Sequence, residues 1–94
     1  MEYDLTELHE WSKALHERSI KNLQNFLQIE MNLGFTFAGL AKQYLEVGDL
    51  GHHETSRRNA VAALDAIDHF KDRLPPQIRK EIEGKRLELA ALIP

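Results

Sequence analysis

Five histidines are the residues of this chain best suited to metal binding or proton transfer. His9 and His16 are seven positions apart, which on a straight helix is about 10 Å and too far for one ion to bridge. The His-x-x-x-His and Glu-x-x-His spacings of helical metal sites do not occur in the sequence. The chain also has no cysteine, so thiolate ligands and disulfides are excluded. We therefore expect no metal site and no metal cofactor.

A second cluster of reactive side chains begins at His52-His53-Glu54. His53 and Glu54, with Arg57 and Arg58 after them, resemble the phospho-acceptor box of sensor histidine kinases, in which an acidic residue follows a helical histidine. The proline of that box is missing and His53 falls at the start of a helix, so a solvent-facing turn is the alternative interpretation. Arg57 and Arg58 could also bind an acidic peptide or a phosphate group.

The other sequence patterns that signal catalysis are missing. There is no Ser/His/Asp arrangement, no glycine-rich phosphate loop and no legible pair of buried carboxylates. The sequence therefore predicts a protein that is not an enzyme, with no catalytic and no cofactor-binding residues.

Size and charge narrow the class of protein further. The 94 residues are enough for one small domain spanning 1–94, and the net charge of −3 argues against nucleic acid as a partner. No stretch approaches the roughly 18 apolar residues of a membrane span, so we expect no membrane partner. The start of the chain is acidic and lacks an apolar run, unlike a signal peptide. We expect a cytoplasmic protein.

Apolar residues recur every three or four positions, which predicts an all-α fold of three or four antiparallel helices. The first helix opens at Asp4, and its apolar face is Leu5, Leu8, Trp11 and Leu15. A second run follows without an intervening proline or glycine: Leu23, Phe26, Leu27, Leu33, Phe37, Leu40, Ala41 and Tyr44. A single helix over 5–47 would be about 65 Å long, too long for one small globule to cover. Either this helix breaks near Arg18–Ser19, or another chain covers its N-terminal arm.

Glycines and prolines mark the boundaries of the remaining helices. Gly48-Asp49-Leu50-Gly51 predicts the end of the first helix, because glycine accepts a left-handed conformation cheaply. The second helix is expected over 53–73, and Pro75-Pro76 then starts a third helix over 76–92. We expect Asp65 and Asp68, on or beside the polar side of the second helix, to be solvated.

Small residues predict that the first two helices pack closely as a hairpin. They are Ala38, Gly39 and Ala41 on the first helix and Ala60, Ala62, Ala63 and Ala66 on the second. The hairpin resembles a tetratricopeptide repeat at Phe37, Leu40, Ala41, Tyr44, Gly48, Ser56, Ala60, Ala63 and Leu64. The resemblance covers about 35 residues and implies a scaffold that binds peptides or proteins. Only one repeat is present, so its faces need cover from the flanking helices or from a second copy of the chain.

These observations favour a non-catalytic protein–protein interaction module that self-associates as a homodimer or binds another protein or peptide. The residues expected to form the interaction surface are Leu8, Trp11, Leu15, Arg57 and Arg58. Trp11 has three interpretations that stay open at this point: packing in the monomer core, self-association, or contact with a foreign partner. The alternative functions are a small signalling or regulatory helical bundle, phosphotransfer included, and a subunit of an oligomeric enzyme.

Overall fold

The computed structural model of the protein describes the chain from Leu5 to Pro94, with side chains from Glu10 onward. In that part of the chain there are three α-helices: α1 (Leu5–Glu46), α2 (Leu50–Phe70) and α3 (Pro76–Leu92). A short 3₁₀ turn, Lys71–Arg73, separates α2 from α3, and no strand occurs among these residues. The prediction of an all-α fold is therefore confirmed. The capping role expected for Asp4 falls outside the described residues.

The first helix is continuous. α1 contains 42 residues, about 63 Å at the usual rise per residue, and the molecule measures 67 × 25 × 15 Å. Of the two alternatives, a break near Arg18–Ser19 is therefore wrong: that stretch has no proline or glycine, and nothing in its sequence interrupts the backbone hydrogen bonds of a helix. Since α2 has only 21 residues, about half of α1 extends beyond it.

A glycine-based cap and an aspartate cap make the turn between α1 and α2 very short. Gly48 has a φ of +78°, and the backbone N–H groups of Gly48 and Asp49 donate to Leu45 and Tyr44 at 3.2 and 2.9 Å, a Schellman arrangement. The Asp49 carboxylate then accepts a hydrogen bond from the backbone N–H of His52 at 3.1 Å. This cap starts α2 at Leu50, so the predicted start at 53 is wrong by three residues.

The predicted break at the prolines is confirmed, although α2 ends three residues before the expected 73. Leu74 is extended, with φ −83° and ψ 150°, because the ring of the following Pro75 disfavours the helical conformation. Pro76 occupies the first turn of α3, where its missing N–H costs no hydrogen bond.

α2 buries two of the four alanines expected at the contact, Ala60 and Ala63, whereas Ala66 is partly buried and Ala62 is exposed, so the expectation for Ala62 is wrong. The buried residues of α2 are Ser56, Ala60, Ala63, Leu64 and Ile67. α3 contributes Ile82 and Leu89 to the core, with Ile78 and Ile93 partly buried beside them. The last two helices thus present the apolar sides that their three- and four-residue spacing indicated.

The buried face of α1 differs from the prediction. Leu27, Met31, Ala38 and Ala41 are buried, whereas Leu33 is exposed. The predicted run therefore mixes two faces. At about 100° per residue, Leu33 points about 120° around the helix axis from the mean direction of the four buried residues.

Gly34 allows the three helices to meet at one point. A β-carbon built on Gly34 would clash with the Leu89 side chain of α3 and lie 3.3 Å from the β-carbon of Ala63 on α2. Gly39, one of the small residues expected at the contact, is exposed and has no atom within 4 Å of the corresponding position. The expectation for Gly39 is therefore wrong, and Gly34 is the glycine that the close approach requires.

An ion pair fastens α3 to α2. The Arg86 guanidinium donates two hydrogen bonds of 2.9 Å to the two carboxylate oxygens of Asp68, and Lys71 Nζ lies 3.2 Å from the same carboxylate. The sequence predicted that Asp68 would be solvated, but its carboxylate is instead paired with Arg86 and Lys71. The hydrogen bonds from Arg86, and then that from Lys71, hold the pKa of Asp68 below its ordinary value of 3.8.

Replacing Asp68 by asparagine is expected to flatten the pH dependence of stability in acid. Because the pKa of Asp68 is lower in the folded than in the unfolded chain, its ion pair contributes stability above pH 4 that is lost as the pH falls further. The pair is partly exposed, so the loss at neutral pH should be no more than about 1 kcal/mol. Thermal melts from pH 7 to pH 2 test this. Asp72→Asn, an exposed neighbour, is the control, and an equally flat profile for Asp72→Asn would contradict the assignment.

Candidate interaction surface

The N-terminal arm of α1, residues 10–19, is not covered by any other part of the chain that the structure describes. Every side chain from Glu10 to Ser19 is exposed, including Trp11 at 66% and Leu15. Core packing begins only at Ile20 and Leu23, which are partly buried. The first of the three interpretations of Trp11, packing in the monomer core, is therefore wrong. The side chain of Leu8, also expected on this surface, lies outside the described residues.

The exposed apolar side chains of the arm continue along α1 beside the hairpin. Ile29 is 58% exposed, and Phe26 and Leu33 are also exposed. Helical periodicity of about 100° per residue places them on the side of α1 that carries Trp11 and Leu15. We call this surface the outer face of α1, defined by Trp11, Leu15, Phe26, Ile29 and Leu33, with Asn22 at its middle.

The part of the outer face beside the hairpin has few charges, whereas Arg18 in the arm lies within about 40° of Asn22 around the helix axis. Between Asn22 and Ala41 the only charged residue is Glu30; the other polar side chains are asparagine, glutamine and threonine. Phe26 contacts Phe70 of α2 edge to face, with ring centroids 5.6 Å apart, and remains 39% exposed. Depletion of charge together with exposed aromatic and aliphatic side chains is typical of the centre of a protein–protein interface.

Sequence reasoning found the arm but missed the part of the outer face beside the hairpin. It placed Phe26 and Leu33 in the same apolar run as Leu27 and Ala41, which are buried. A count at 3.6 residues per turn separates two apolar sides on this helix and was the available signal.

Arg57 and Arg58 form a different surface from the arm. Arg57 donates to both carboxylate oxygens of Glu54, at 3.0 and 2.7 Å, and Arg58 donates to one of them at 3.3 Å. The hydrogen bond from Arg57 is the main cause that lowers the pKa of Glu54 to about 2. Glu54 thus already supplies the anion that was expected from an acidic peptide or phosphate.

The two predicted parts of the interaction surface are far apart. His53, one turn before Arg57, lies against Ala41 of α1. Ala41 is 30 residues from Trp11, which corresponds to about 45 Å along the helix. The structure therefore does not bring the arm and the arginines of one chain together.

The two histidines of the second reactive cluster hold the turn in place. His53 Nδ1 donates to the backbone carbonyl oxygen of Ala41 at 2.8 Å, since a carbonyl only accepts, and so ties the start of α2 to α1. The His52 ring stacks on Tyr44 and its Nδ1 lies 2.7 Å from the Asp49 carboxylate. Hydrogen bonds from His52, chiefly from its backbone N–H, lower the pKa of Asp49. These contacts stabilise the hairpin.

Searches for other kinds of site give two further findings. Among the residues that the structure describes, no group of three or more histidine and carboxylate side chains could hold a metal ion. None of the helices in the described part of the chain combines the length and the apolar character required to cross a membrane.

Comparisons of the chain with models of protein families, with curated proteins and with solved structures give no match. The resemblance to a tetratricopeptide repeat therefore rests on the residues of the hairpin alone and stays a prediction.

Proposed function

We propose that this protein is a non-catalytic protein–protein interaction module that self-associates through the outer face of α1. The observation that carries the proposal is the uncovered arm: α1 extends well beyond α2 and α3 and exposes Trp11 and Leu15 to solvent. Ile29 and Leu33 extend the same surface over the hairpin.

The energetics favour a covered arm. Isolated helices of 12–15 residues are only marginally stable in water, because most helical stability in proteins comes from packing of an apolar side. Burying a large apolar side chain contributes up to about 1.5–3 kcal/mol. A partner on the outer face would therefore stabilise the arm and remove Trp11 from water, and interfaces commonly depend on such an aromatic anchor.

We expect Trp11→Ala to weaken self-association. Loss of a tryptophan anchor that carries much of the binding energy costs about 2 kcal/mol, which corresponds to a roughly 30-fold rise in Kd. Light scattering after size exclusion, over a range of concentrations, measures the shift from twice the 10.9 kDa chain mass toward the monomer. Trp11 is the only tryptophan of the chain, so a blue shift of its fluorescence with rising concentration gives a second readout in the wild type.

Leu87 supplies a matched control. It lies on α3 and is 66% exposed, as Trp11 is, but it is not part of the outer face. Leu87→Ala should leave the mass and Kd unchanged. A wild-type chain that keeps the monomer mass at the highest concentration would contradict the proposal, and so would equal effects of the two substitutions.

A further inference from the structure

Four of the exposed apolar residues of α1 are spaced symmetrically about Asn22. Leu15 and Ile29 are each seven residues from Asn22, and Trp11 and Leu33 are each eleven residues from it. Seven and eleven residues are close to two and three helical turns, so all four side chains lie within about 20° of Asn22 around the helix axis. Read in either direction from Asn22, these four side chains therefore lie at the same heights, whereas Phe26 is matched by Arg18.

From this spacing we infer that a second copy of the chain binds the outer face antiparallel, with the two-fold axis beside Asn22, so that each arm packs on the hairpin of the other copy. The inference rests on the proposed self-association and specifies its geometry. A two-fold axis there sets residue i opposite residue 44 − i. Leu15 then meets Ile29 of the partner subunit, and Trp11 meets Leu33 of the partner subunit.

The polar residue at the centre suits this arrangement. An asparagine side chain both donates and accepts hydrogen bonds, so the two Asn22 amides can pair across the axis. A shift of three residues would set Asn22 opposite Ser19 or Asn25 of the partner subunit, so the register depends chiefly on the apolar pairs, which such a shift would separate.

Charge also agrees with the antiparallel register. Glu10, Lys13 and Glu17 lie about 100° or more around α1 from Asn22, away from the contact. Arg18 comes opposite Phe26 of the partner subunit, where a guanidinium can lie over the aromatic ring. No charged side chain from Glu10 to Glu30 faces a charge of its own sign at the 44 − i position.

The area is sufficient for a reversible dimer. The helices would overlap over residues 5–39, about 51 Å, and a face about 10–12 Å wide gives roughly 500–600 Å² per copy. The total of more than about 1,000 Å² reaches the size expected of a specific but small interface. Each arm, packed on the hairpin of the other copy, adds a fourth helix to the three helices of that copy.

Disulfide formation between introduced cysteines tests this geometry. No other thiol of the protein can interfere, because the sequence has no cysteine. Three single variants at exposed positions are oxidised: Asn22→Cys, Leu15→Cys and Ile29→Cys. We expect Asn22→Cys to form a covalent dimer by itself. Leu15→Cys and Ile29→Cys should not pair alone, since each would be about 21 Å from its own copy, but a mixture of the two should form a mixed disulfide. Circular dichroism checks that each variant keeps its helix content.

The outcomes distinguish a failure of the antiparallel geometry from a failure of the proposed self-association. Covalent dimers from all three variants alone would show a parallel, in-register pair and overturn the inference, while the proposed self-association would stand. A dimer mass in light scattering without any of these disulfides would also overturn it and place the interface elsewhere. A monomer mass for the wild-type chain at every concentration would overturn both.

Discussion

Ala63→Leu is expected to lower the free energy of unfolding by about 1–3 kcal/mol, because it forces three extra carbon atoms into the contact between α1 and α2. Ala63 is buried on the side of α2 that faces Gly34, and the β-carbon of Ala63 is 3.3 Å from where a β-carbon on Gly34 would lie. In a domain of this size each kcal/mol corresponds to about 4–8 °C in Tm. Thermal melts followed by circular dichroism at one fixed protein concentration measure the change, since any self-association makes Tm depend on concentration.

Ala62→Leu is the matched control for this substitution. Ala62 is the preceding residue of the same helix and is exposed, so the added atoms enter solvent and the expected change is within about 0.5 kcal/mol. If the two variants melted at the same temperature, the close approach of the helices at Ala63 would be contradicted.

The hairpin could be predicted from sequence where one side of a helix carries a consistent signal. On α2 the buried residues share one side of the helix, whereas Arg57, Arg58 and Asp65 lie on the other sides; the buried residues are Ser56, Ala60, Ala63, Leu64 and Ile67. Local spacing and tertiary packing then agree, and the predicted side is the buried one. The prolines before α3 constrain the backbone locally, so the break there was also predictable.

Helical periodicity separates the two apolar sides of α1, but hydrophobicity alone could not show which of them is buried. The buried side includes small residues, Gly34, Ala38 and Ala41, while the exposed side carries large ones such as Trp11 and Ile29. Large apolar residues occur on both sides, since Leu27 and Met31 are also buried. Whether a small residue marks a helix contact depends on what packs against it, and that is a property of the folded chain rather than of the sequence near it.

The candidate site was predictable only at its N-terminal end. A helix too long for the rest of the domain to cover is a simple consequence of length, and it led to Trp11 and Leu15. The ion pairs of Arg57 and Arg58 with Glu54 required the rotamers of the folded helix, although the spacings of three and four residues allow them. The alternative functions, phosphotransfer and a subunit of an oligomeric enzyme, stay predictions, with His53 now placed in a hydrogen bond to α1.

Gly34→Ala is expected to destabilise the fold even though alanine is the better helix former. The new methyl group would clash with Leu89, which is fully buried, and would press on Ala63. Overpacking of this kind costs about 1–3 kcal/mol, against a gain of about 1 kcal/mol from replacing glycine inside a helix. The net loss should therefore reach up to about 2 kcal/mol, measured by urea unfolding at fixed protein concentration.

Gly39→Ala gives the reference for that gain. Gly39 lies on the same helix, and no atom is within 4 Å of the position that its β-carbon would take, so this substitution should stabilise the protein by about 0.5–1 kcal/mol. Both variants share the change in helix propensity, and the difference between their unfolding free energies therefore isolates the steric cost at the junction of the three helices. We expect that difference to be about 1–3 kcal/mol. Equal stabilisation by the two substitutions would mean that α3 does not pack against α1 at Gly34.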